Sequence, residues 1–452
     1  MTTTTGATAP GATRRLVLGL AGGSGASLLA GCGVGRSGEP RRAGSGPGAL
    51  APTTIQVHHW ENGIYEYVWG PWVERFEAQN PGVRVQSNVV SGAEYHTKMK
   101  LLLAAGTPPD FFFDNANPEY AYLGALEVLD PYLKADRLNA GLLHPFMVSA
   151  KRWKGALVGL PGFATAKLWQ YNAEVYREAG VPDPNQLYDQ NRWRWSDFLD
   201  AARKVRQTSA DGQLTRWHGN QTDYFSVLAQ NKAAFLSTDL RTVTIGAPEA
   251  IEAFQFLQDA IWKDRIHPGA AGTPAAPPGG FFATWQLVGR DSWASIDAPR
   301  KEIAGYPRPF VWDVAPLPSN KARATIAGVF GWTVPKDSPR KEHGWALARF
   351  LTFTPEIGVE ITGFGMPPLK EAGEAGFAKM SDPKGARRAA LEPYEKGTTY
   401  LAERFTFPRW QEFSATASTE IGALLRNEKT PRAACEAMAT ELRGHVQSIK
   451  WE

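Results

Sequence analysis

Residues 53–114 read TTIQVHHWENGIYEYVWGPWVERFEAQNPGVRVQSNVVSGAEYHTKMKLLLAAGTPPDFFFD, and this stretch indicates the type of fold. Its apolar periodicity changes between that of strands and that of helices, with short breaks between the segments. The predicted elements are a strand at 53–58, a helix beginning near Pro71, a strand from Val83, a helix over about 94–105 and a strand at 111–113. Such an order predicts a parallel sheet covered by helices.

Polar and aromatic residues follow two of these strands. Trp60, Glu61 and Asn62 come after the first strand, and Asp114 and Asn115 come at the end of the third. In sheets of this type, ligands bind beyond the carboxyl ends of the strands. We therefore expect these five residues to border a binding cleft.

The rest of the chain has further helices and at least one long strand. The predicted elements are a helix from Trp195 to about Gln207 capped by Ser196, a helix over 248–263, a loop over 268–280, a strand over 329–334, a helix over 341–353 and two closing helices before Lys450.

Composition excludes several classes of protein. The 452 residues include 49 Lys and Arg against 45 Asp and Glu, and a net charge of +4 is too small to indicate nucleic-acid binding. Two cysteines, Cys32 and Cys435, exclude a disulfide-stapled scaffold and a zinc site made of thiolates. The 16 Trp, 13 Tyr and 22 Phe suffice for a core and an aromatic cleft.

The N-terminus predicts export. Arg14 and Arg15 precede a weakly apolar stretch, residues 16–30, that is shorter than the about 20 residues a membrane span needs. We interpret residues 1–31 as a signal peptide. The arginine pair before Leu-Val-Leu resembles a twin-arginine export signal, with Gly19 in place of its usual basic residue; the general secretory route is the alternative.

Residues 29–32, Leu-Ala-Gly-Cys, resemble a bacterial lipobox. This resemblance implies cleavage before Cys32 and acylation of its thiol. Residues 32–52 are rich in Gly, Ser, Pro and Arg, which predicts a flexible tether. We therefore expect a lipid-anchored body on the outer face of the bacterial cytoplasmic membrane, in the periplasm or at the cell surface.

Scattered motifs across residues 53–450 share their order with a known family. They are Trp60, Pro108–Asp110, Gly159–Pro161, Trp169–Asn172, Trp195–Phe198, Asp291–Ser295, Gly328–Pro335, Trp345–Leu351, Gly363–Pro367 and the helix over 431–446. In this order they resemble the extracellular solute-binding proteins of ABC importers, specifically the maltose-binding-like sugar group (solute-binding protein family 1).

The resemblance implies an α/β fold of the two-lobed, periplasmic-binding-protein-like type (type II). Each lobe is a mostly parallel sheet flanked by helices, and crossing hinge strands join the lobes, which close on a ligand. The implied N-terminal lobe spans 53–165 and 330–372, and the C-terminal lobe spans 166–329 and 373–452. The resemblance implies a monomer that delivers a mono- or oligosaccharide to the permease subunits. We expect no catalytic activity, no cofactor, no metal and no nucleic-acid partner.

Sugars present apolar faces edged by hydroxyls, so their sites combine aromatic platforms with polar groups. Besides the five residues at the strand ends, Trp293, Gly331, Trp332 and Phe364 lie in the family motifs and are predicted ligand contacts. Trp410, outside these motifs, is a further candidate. Structural alternatives are rim packing for Trp60, helix capping for Asp114 and core packing for Trp410. Residues 288–291, Val-Gly-Arg-Asp, depart from the Gly-Lys-x-Ala-Met strand that the family usually has there.

Two other functions are compatible with parts of the sequence. The same fold binds polyamines or other small solutes when several acids converge in the cleft. A tethered glycoside hydrolase or lyase needs two carboxyls about 5–10 Å apart, and Glu61 with Asp114 are the candidates. His58 and His59 are neighbours on a strand and point to opposite faces, so they do not chelate one metal ion.

Overall fold

The structure is a computed structural model. It describes residues 50–60, 69–92, 94–115, 117–219, 223–267, 282, 286–293, 296–380, 383–402 and 406–451. None of the helices in these ranges combines the length and the apolar character that spanning a bilayer requires.

Twelve strands are defined in these ranges. They are β1 (Thr53–Trp60), β2 (Val83–Val90), β3 (Phe111–Asp114), β4 (Arg152–Trp153), β5 (Ala156–Leu157), β6 (Leu160–Asn172), β7 (Gln207–Thr208), β8 (Leu214–Arg216), β9 (Gly289–Trp293), β10 (Trp312–Ala315), β11 (Thr325–Thr333) and β12 (Thr399–Leu401).

The helices in the described ranges surround the sheet. They are α1 (Gly70–Gln79), α2 (Tyr95–Ala104), α3 (Asn117–Tyr122), α4 (Asp130–Ala135), α5 (Pro145–Ala150), α6 (Ala173–Glu178), α7 (Pro184–Asp189), α8 (Trp195–Val205), α9 (Tyr224–Gln230), α10 (Pro248–Trp262), α11 (Asp297–Ala304), α12 (Lys341–Phe353), α13 (Pro355–Ile361), α14 (Lys370–Ala378), α15 (Ala386–Ala390), α16 (Glu392–Glu395), α17 (Trp410–Leu425) and α18 (Pro431–Gln447).

The first five elements confirm the predicted alternation of strands and helices. β1 pairs in parallel with β2 and with β3, so the carboxyl ends of β1 and β3 meet at the same edge of the sheet. In α1, Pro71 lies in the first turn, and Trp72 and Phe76 face the core. The alternating burial of β1 leaves His59 buried and His58 half-buried, which confirms that they point to opposite faces.

Two long strands connect the parts of the sheet. β6 and β11 are antiparallel over Leu160–Ala166 and Ala327–Trp332, and β3 is antiparallel to the end of β11. Farther along, β6 pairs with β9 and β10, both antiparallel, while the start of β11 pairs in parallel with β12. Parallel pairing thus dominates only the first part, and the complete sheet is mixed.

The start of α8 differs from the prediction in its capping residue. Ser196 lies inside the helix, and the N-cap is Arg194. The carboxylate of Asp197 accepts a hydrogen bond from the backbone N–H of Arg194 at 3.2 Å. Asp197 occupies the third helical position, from which an acidic side chain reaches back to the cap residue. The Ser196 assignment was wrong because this acidic partner, rather than the serine hydroxyl, satisfies the N-terminal turn.

Candidate functional site

Four aromatic side chains meet where β1 and β3 end beside the long strands. This aromatic cluster consists of Trp60, Phe113, Phe163 and Phe330. Phe163 and Phe330 are opposite each other on β6 and β11 and stack with centroids 4.7 Å apart at 7°. Trp60 packs against Phe113 at 4.5 Å. Phe113 and Phe163 are buried, whereas Trp60 and Phe330 are half-buried and present ring surface to solvent.

Tyr95 of α2 fixes the strand ends that carry the cluster. Its hydroxyl donates to the carbonyl oxygen of Phe113 at 2.7 Å and lies 3.0 Å from that of His58. Its ring contacts Trp60 edge-on at 5.0 Å. Burial raises the pKa of Tyr95 well above its ordinary value, so the hydroxyl stays protonated as a donor. The ends of β1 and β3 are therefore held together under Trp60.

Thr165 adds a polar group on β6 that the sequence did not indicate. It lies two residues after Phe163, so both side chains point to the same face of the strand. The hydroxyl is buried and makes no hydrogen bond to any residue that the structure describes. Gly365 packs here, because a Cβ on it would lie 3.0 Å from the ring of Phe163 and 3.1 Å from Thr165. A hydroxylated ligand can satisfy this buried hydroxyl only after the side chains around it move and expose it.

The structure places the backbone of Trp293 near this face. Trp293 ends β9 and is opposite Lys167, two residues beyond Thr165 on β6. Its side chain lies outside the described part of the structure, as do Glu61 and Asn62. Contact of these three residues with a ligand stays a prediction. The export-signal residues Arg14 and Arg15 and the lipobox residue Cys32 also lie outside the described residues.

The unusual sequence before Trp293 has a structural explanation. Arg290 of β9 donates from Nε to the side-chain oxygen of Gln170 on β6 at 2.7 Å, and its guanidinium forms a two-pronged ion pair with Glu302 of α11. The same guanidinium lies 4.5 Å from the centre of the Phe282 ring. Arg290 thus fastens the strand that ends at Trp293 to both β6 and α11.

Asp114 does not lie on the open surface of this site. Its side chain is 0% exposed, although Asn115, the next residue, is half-buried. The Nζ of Lys151, itself 1% exposed, donates to the carbonyl oxygen of Asp114 at 3.0 Å. Burial lowers the pKa of Lys151 to about 8, while the charge of Asp114 acts in the opposite direction. This placement favours a charge-pairing role for Asp114 over contact with a ligand.

Trp332 and Trp410 also lie in the protein interior. Trp332 is 1% exposed and contacts Phe111 and Phe113 in the core of the first part of the sheet. Trp410 begins α17 and packs against Phe225, with further core neighbours on the same helix. Both placements favour packing over ligand contact, because neither indole has substantial surface free for stacking.

Gly331 and Phe364 have different surroundings. Gly331 is opposite Asp114 on β3, and a side chain there would overlap the carbonyl oxygen of Leu160 and lie 2.8 Å from Cε of Lys151. The absence of a side chain at Gly331 leaves room for the lysine. Phe364 is half-buried and packs against the core of the first part of the sheet, beside the loop that contains Gly365. Of the predicted residues, Trp60 and Asn115 therefore fit the site best.

A separate cavity of about 1020 Å³ lies near the same strands. Its walls include Arg152 and Trp153 on one side and Phe225, Leu236 and Tyr400 on the other. Of the sequence-predicted ligand residues whose side chains the structure describes, none lines it.

The cavity and the aromatic cluster both border β11, the cavity through Ile326 and the cluster through Phe330. Phe330 and Trp332 both contact Phe113, so they share one face of β11. Gly331, between them, faces Lys151 on the other face. The two residues after Lys151 line the cavity.

Comparison with known proteins agrees with this architecture. A binding protein from Brucella abortus (strain 2308) is 22% identical over 392 residues, which cover 83% of this chain and 90% of that protein. An ABC substrate-binding protein from Listeria monocytogenes was solved in complex with cycloalternan. Its superposition covers 88% of this chain and 100% of that protein, with a TM-score of 0.75 and 23% sequence identity. Maltose-bound MalE3 from T. maritima covers 86% and 99% with a TM-score of 0.67 and 22% identity.

These likenesses show that the chain has the two-lobed α/β fold of such proteins. The family model described as bacterial extracellular solute-binding protein matches residues 61–356, about two thirds of the sequence. The chain belongs to the bacterial extracellular solute-binding protein family.

Proposed function

We propose that this protein is the lipid-anchored solute-binding protein of an ABC importer and that it captures a mono- or oligosaccharide between its lobes for delivery to the permease. The ligand site lies at the aromatic cluster. We place the N-terminal lobe at 53–165 and 330–372 and the C-terminal lobe at 166–329 and 373–452. With these boundaries β6 and β11 are the strands that cross between the lobes, and they lie at the base of the cleft.

The half-exposed rings of Trp60 and Phe330, next to the unbonded hydroxyl of Thr165, are the observation that carries this proposal. Aromatic rings stack on the apolar C–H face of a sugar ring, and the hydroxyl bonds to its edge. Trp60 also lies at the carboxyl end of a parallel strand, where ligands bind in open α/β sheets. The cycloalternan and maltose bound by two structural neighbours support the same ligand class.

The charges near the cluster favour a neutral ligand over a polyamine. Among the described side chains of the cluster, Thr165 and the adjacent strand end of β3, the only carboxylate is that of Asp114, and a polycation site needs several. The nearby Asp114 is fully buried beside Lys151, so it does not offer a free negative charge. The same burial argues against a glycoside hydrolase, because the acid that would pair with Glu61 has no surface open to a glycosidic bond.

Export and anchoring follow from the N-terminal sequence. The arginine pair and apolar stretch of residues 14–30 direct the chain across the membrane, and the lipobox makes Cys32 the acylated first residue. Residues 32–52 then tether the binding lobes to the outer face of the membrane, where the solute reaches them and the permease lies within reach. The protein acts there as a monomer.

A thermal-shift screen of residues 53–452 tests the proposal. The panel contains maltose, cycloalternan, other mono- and oligosaccharides, and spermidine as the polycation probe. A sugar present at 100 times its dissociation constant stabilises the folded protein by about 2.7 kcal/mol, which shifts the melting temperature measurably. Stabilisation by a sugar that disappears in a Trp60→Ala variant supports the proposal. The proposal is contradicted if spermidine is the only compound that shifts the melting temperature, or if no carbohydrate in the panel shifts it.

A further inference from the structure

We propose that Lys151 is a buried positioning residue of the ligand site: its ammonium group ties the end of β3 to the crossing strand β11 and makes the opening of this joint depend on pH. This inference rests on the proposed function only for the identity of the site that Lys151 supports. The joint itself is defined by Lys151, Asp114 and Gly331.

Lys151 connects three segments of the chain. It follows α5, and its backbone carbonyl accepts a hydrogen bond from Val158 at 2.9 Å, just beyond the β4–β5 hairpin. Its Nζ donates to the carbonyl oxygen of Asp114 at the end of β3. Its Cε lies beside Gly331 of β11, at a distance that leaves no room for a side chain on residue 331. Three elements are thus joined through one side chain.

The joint lies directly behind the aromatic cluster. Asp114 follows Phe113, and Gly331 follows Phe330, so Lys151 contacts the neighbours of two of the four cluster rings. The strand register is irregular between Phe330 and Gly331, which places a bend in the crossing strand at the joint. A movement of the crossing strand at this bend changes the position of the rings that we assign to the ligand.

Burial makes this lysine sensitive to its protonation state. An ammonium group at 1% exposure loses almost all hydration, and the Asp114 carboxylate offsets only part of that cost. The pKa of Lys151 is consequently lowered to about 8. When the joint opens, water solvates the amine and its ordinary affinity for a proton returns. Opening therefore takes up a proton at alkaline pH, and we expect the joint to become harder to open as the pH rises.

Other titratable groups around the joint do not change charge between pH 7 and 9. Burial raises the pKa values of Tyr95 and Tyr120, on α2 and α3, well above their ordinary values. Burial also lowers the pKa values of His58, His96 and His144 below 6.5, so these imidazoles are already neutral at pH 7.

Hydrogen exchange of the ligand-free protein tests the proposal without knowledge of the sugar. Protection factors, corrected for intrinsic exchange rates, are measured at pH 7, 8 and 9 for amides of β3 and of β11 near Gly331. Amides of α18 serve as an internal reference. We expect protection at the joint to rise about tenfold from pH 7 to 9 in the wild type, as a folded-state pKa of about 8 requires.

Two variants separate Lys151 from other causes. Lys151→Met keeps the chain length but removes the amine, and protection at the joint should then not rise with pH. Lys134→Met, at an exposed lysine of α4, is the matched control and should behave as the wild type. A pH-dependent rise that persists in Lys151→Met overturns the proposal. If Lys151→Met does not fold, the wild-type measurement alone tests the proposal. The proposal is refuted if the protection of the joint amides changes with pH in the same way as that of the α18 amides.

A ligand measurement then tests the positioning role. With the most stabilising sugar of the thermal-shift screen, calorimetry at pH 7 should give at least a fivefold weaker affinity for Lys151→Met and an unchanged affinity for Lys134→Met. An unchanged affinity in Lys151→Met overturns the positioning role. If the screen finds no sugar that binds, the proposed function is refuted instead. The hydrogen-exchange experiment then still tests whether Lys151 makes the joint pH-dependent.

Discussion

Trp60 at the end of β1 and Phe330 on the crossing strand β11 contact each other with ring centroids 5.9 Å apart. They are far apart in sequence, and they are the two members of the aromatic cluster that keep exposed ring surface. One belongs to a parallel strand end and the other to a strand that passes between the lobes. With the proposed lobe boundaries, a ligand that stacks on both rings contacts the end of β1 and a strand that crosses between the lobes at the same time.

We predict that Trp60→Ala weakens sugar binding by about 2 kcal/mol or more, the cost typical of a truncated aromatic anchor. The folded structure should persist, because the indole is half-buried at a strand end. Isothermal calorimetry gives the affinity and circular dichroism the fold. The matched control is Trp153→Ala, at a half-buried tryptophan that lines the separate cavity. Equal losses of affinity in both variants would show that Trp60 is not a specific contact.

Thr165→Val tests the polar part of the site. Valine keeps the shape of threonine and removes a hydroxyl that has no partner among the described residues. The free energy of unfolding should stay the same or increase, because an unsatisfied buried group is lost. Sugar affinity should fall by about 1 kcal/mol, the net value of one hydrogen bond. Denaturant unfolding and calorimetry on the same preparation measure both quantities, and a destabilised variant with normal affinity contradicts the assignment.

Asp114→Asn should act mainly on stability. The substitution removes the carboxylate that opposes the desolvation of the buried Lys151 ammonium. The loss should be about 1 kcal/mol, because a lysine with a pKa of about 8 can release its proton at pH 7 at a cost of about 1.4 kcal/mol instead of staying charged without its partner. Urea unfolding at pH 7 measures the loss. If stability is unchanged and only sugar affinity falls, Asp114 is a ligand acceptor after all, as the sequence alone suggested.

The order of strands and helices in residues 53–114 was predictable because local periodicity determines it. The crossing strands were predictable only in part: the strand expected over 329–334 begins earlier, at Thr325, because pairing with β6 and β12 extends it. Periodicity did not indicate how deeply each strand end is buried. Trp60 and Asp114 both end strands, yet only the tryptophan keeps exposed surface.

The functional pairings that the sequence missed are long-range contacts. Phe163 and Phe330 are unremarkable residues of two apolar strands, and only their pairing across β6 and β11 makes them a stacked pair. Lys151 carries no motif, and its burial depends on the absence of a side chain at Gly331. Conversely, the glycine before Trp332 suggested a close approach to a ligand, whereas it accommodates this lysine.

The pH dependence of global stability gives a separate prediction for Lys151. Its pKa is about 8 in the folded protein and near its ordinary value of 10.5 in the unfolded chain. Below pH 8 both states hold the proton, and the folded state bears the full desolvation cost. Between pH 8 and 10.5 the unfolded chain binds more protons, so stability rises with pH. From pH 7 to 10, wild type should gain on the order of 2 kcal/mol over Lys151→Met in urea unfolding, whereas a constant difference would contradict the lowered pKa.

Anchoring is tested at Cys32, the residue on which the lipobox interpretation depends. An acyl chain buries many methylene groups in the bilayer, and stable attachment takes more than one such chain. Replacement of Cys32 by Ala removes the acylation site, so the exported protein should move from the membrane pellet to the soluble fraction after a carbonate wash. Immunoblots of both fractions from the native host measure this partition. A control variant with Cys435→Ala, at a cysteine buried in α18, should stay with the membrane. If the Cys32→Ala protein also remains in the pellet, a second membrane attachment exists and the tether model is wrong.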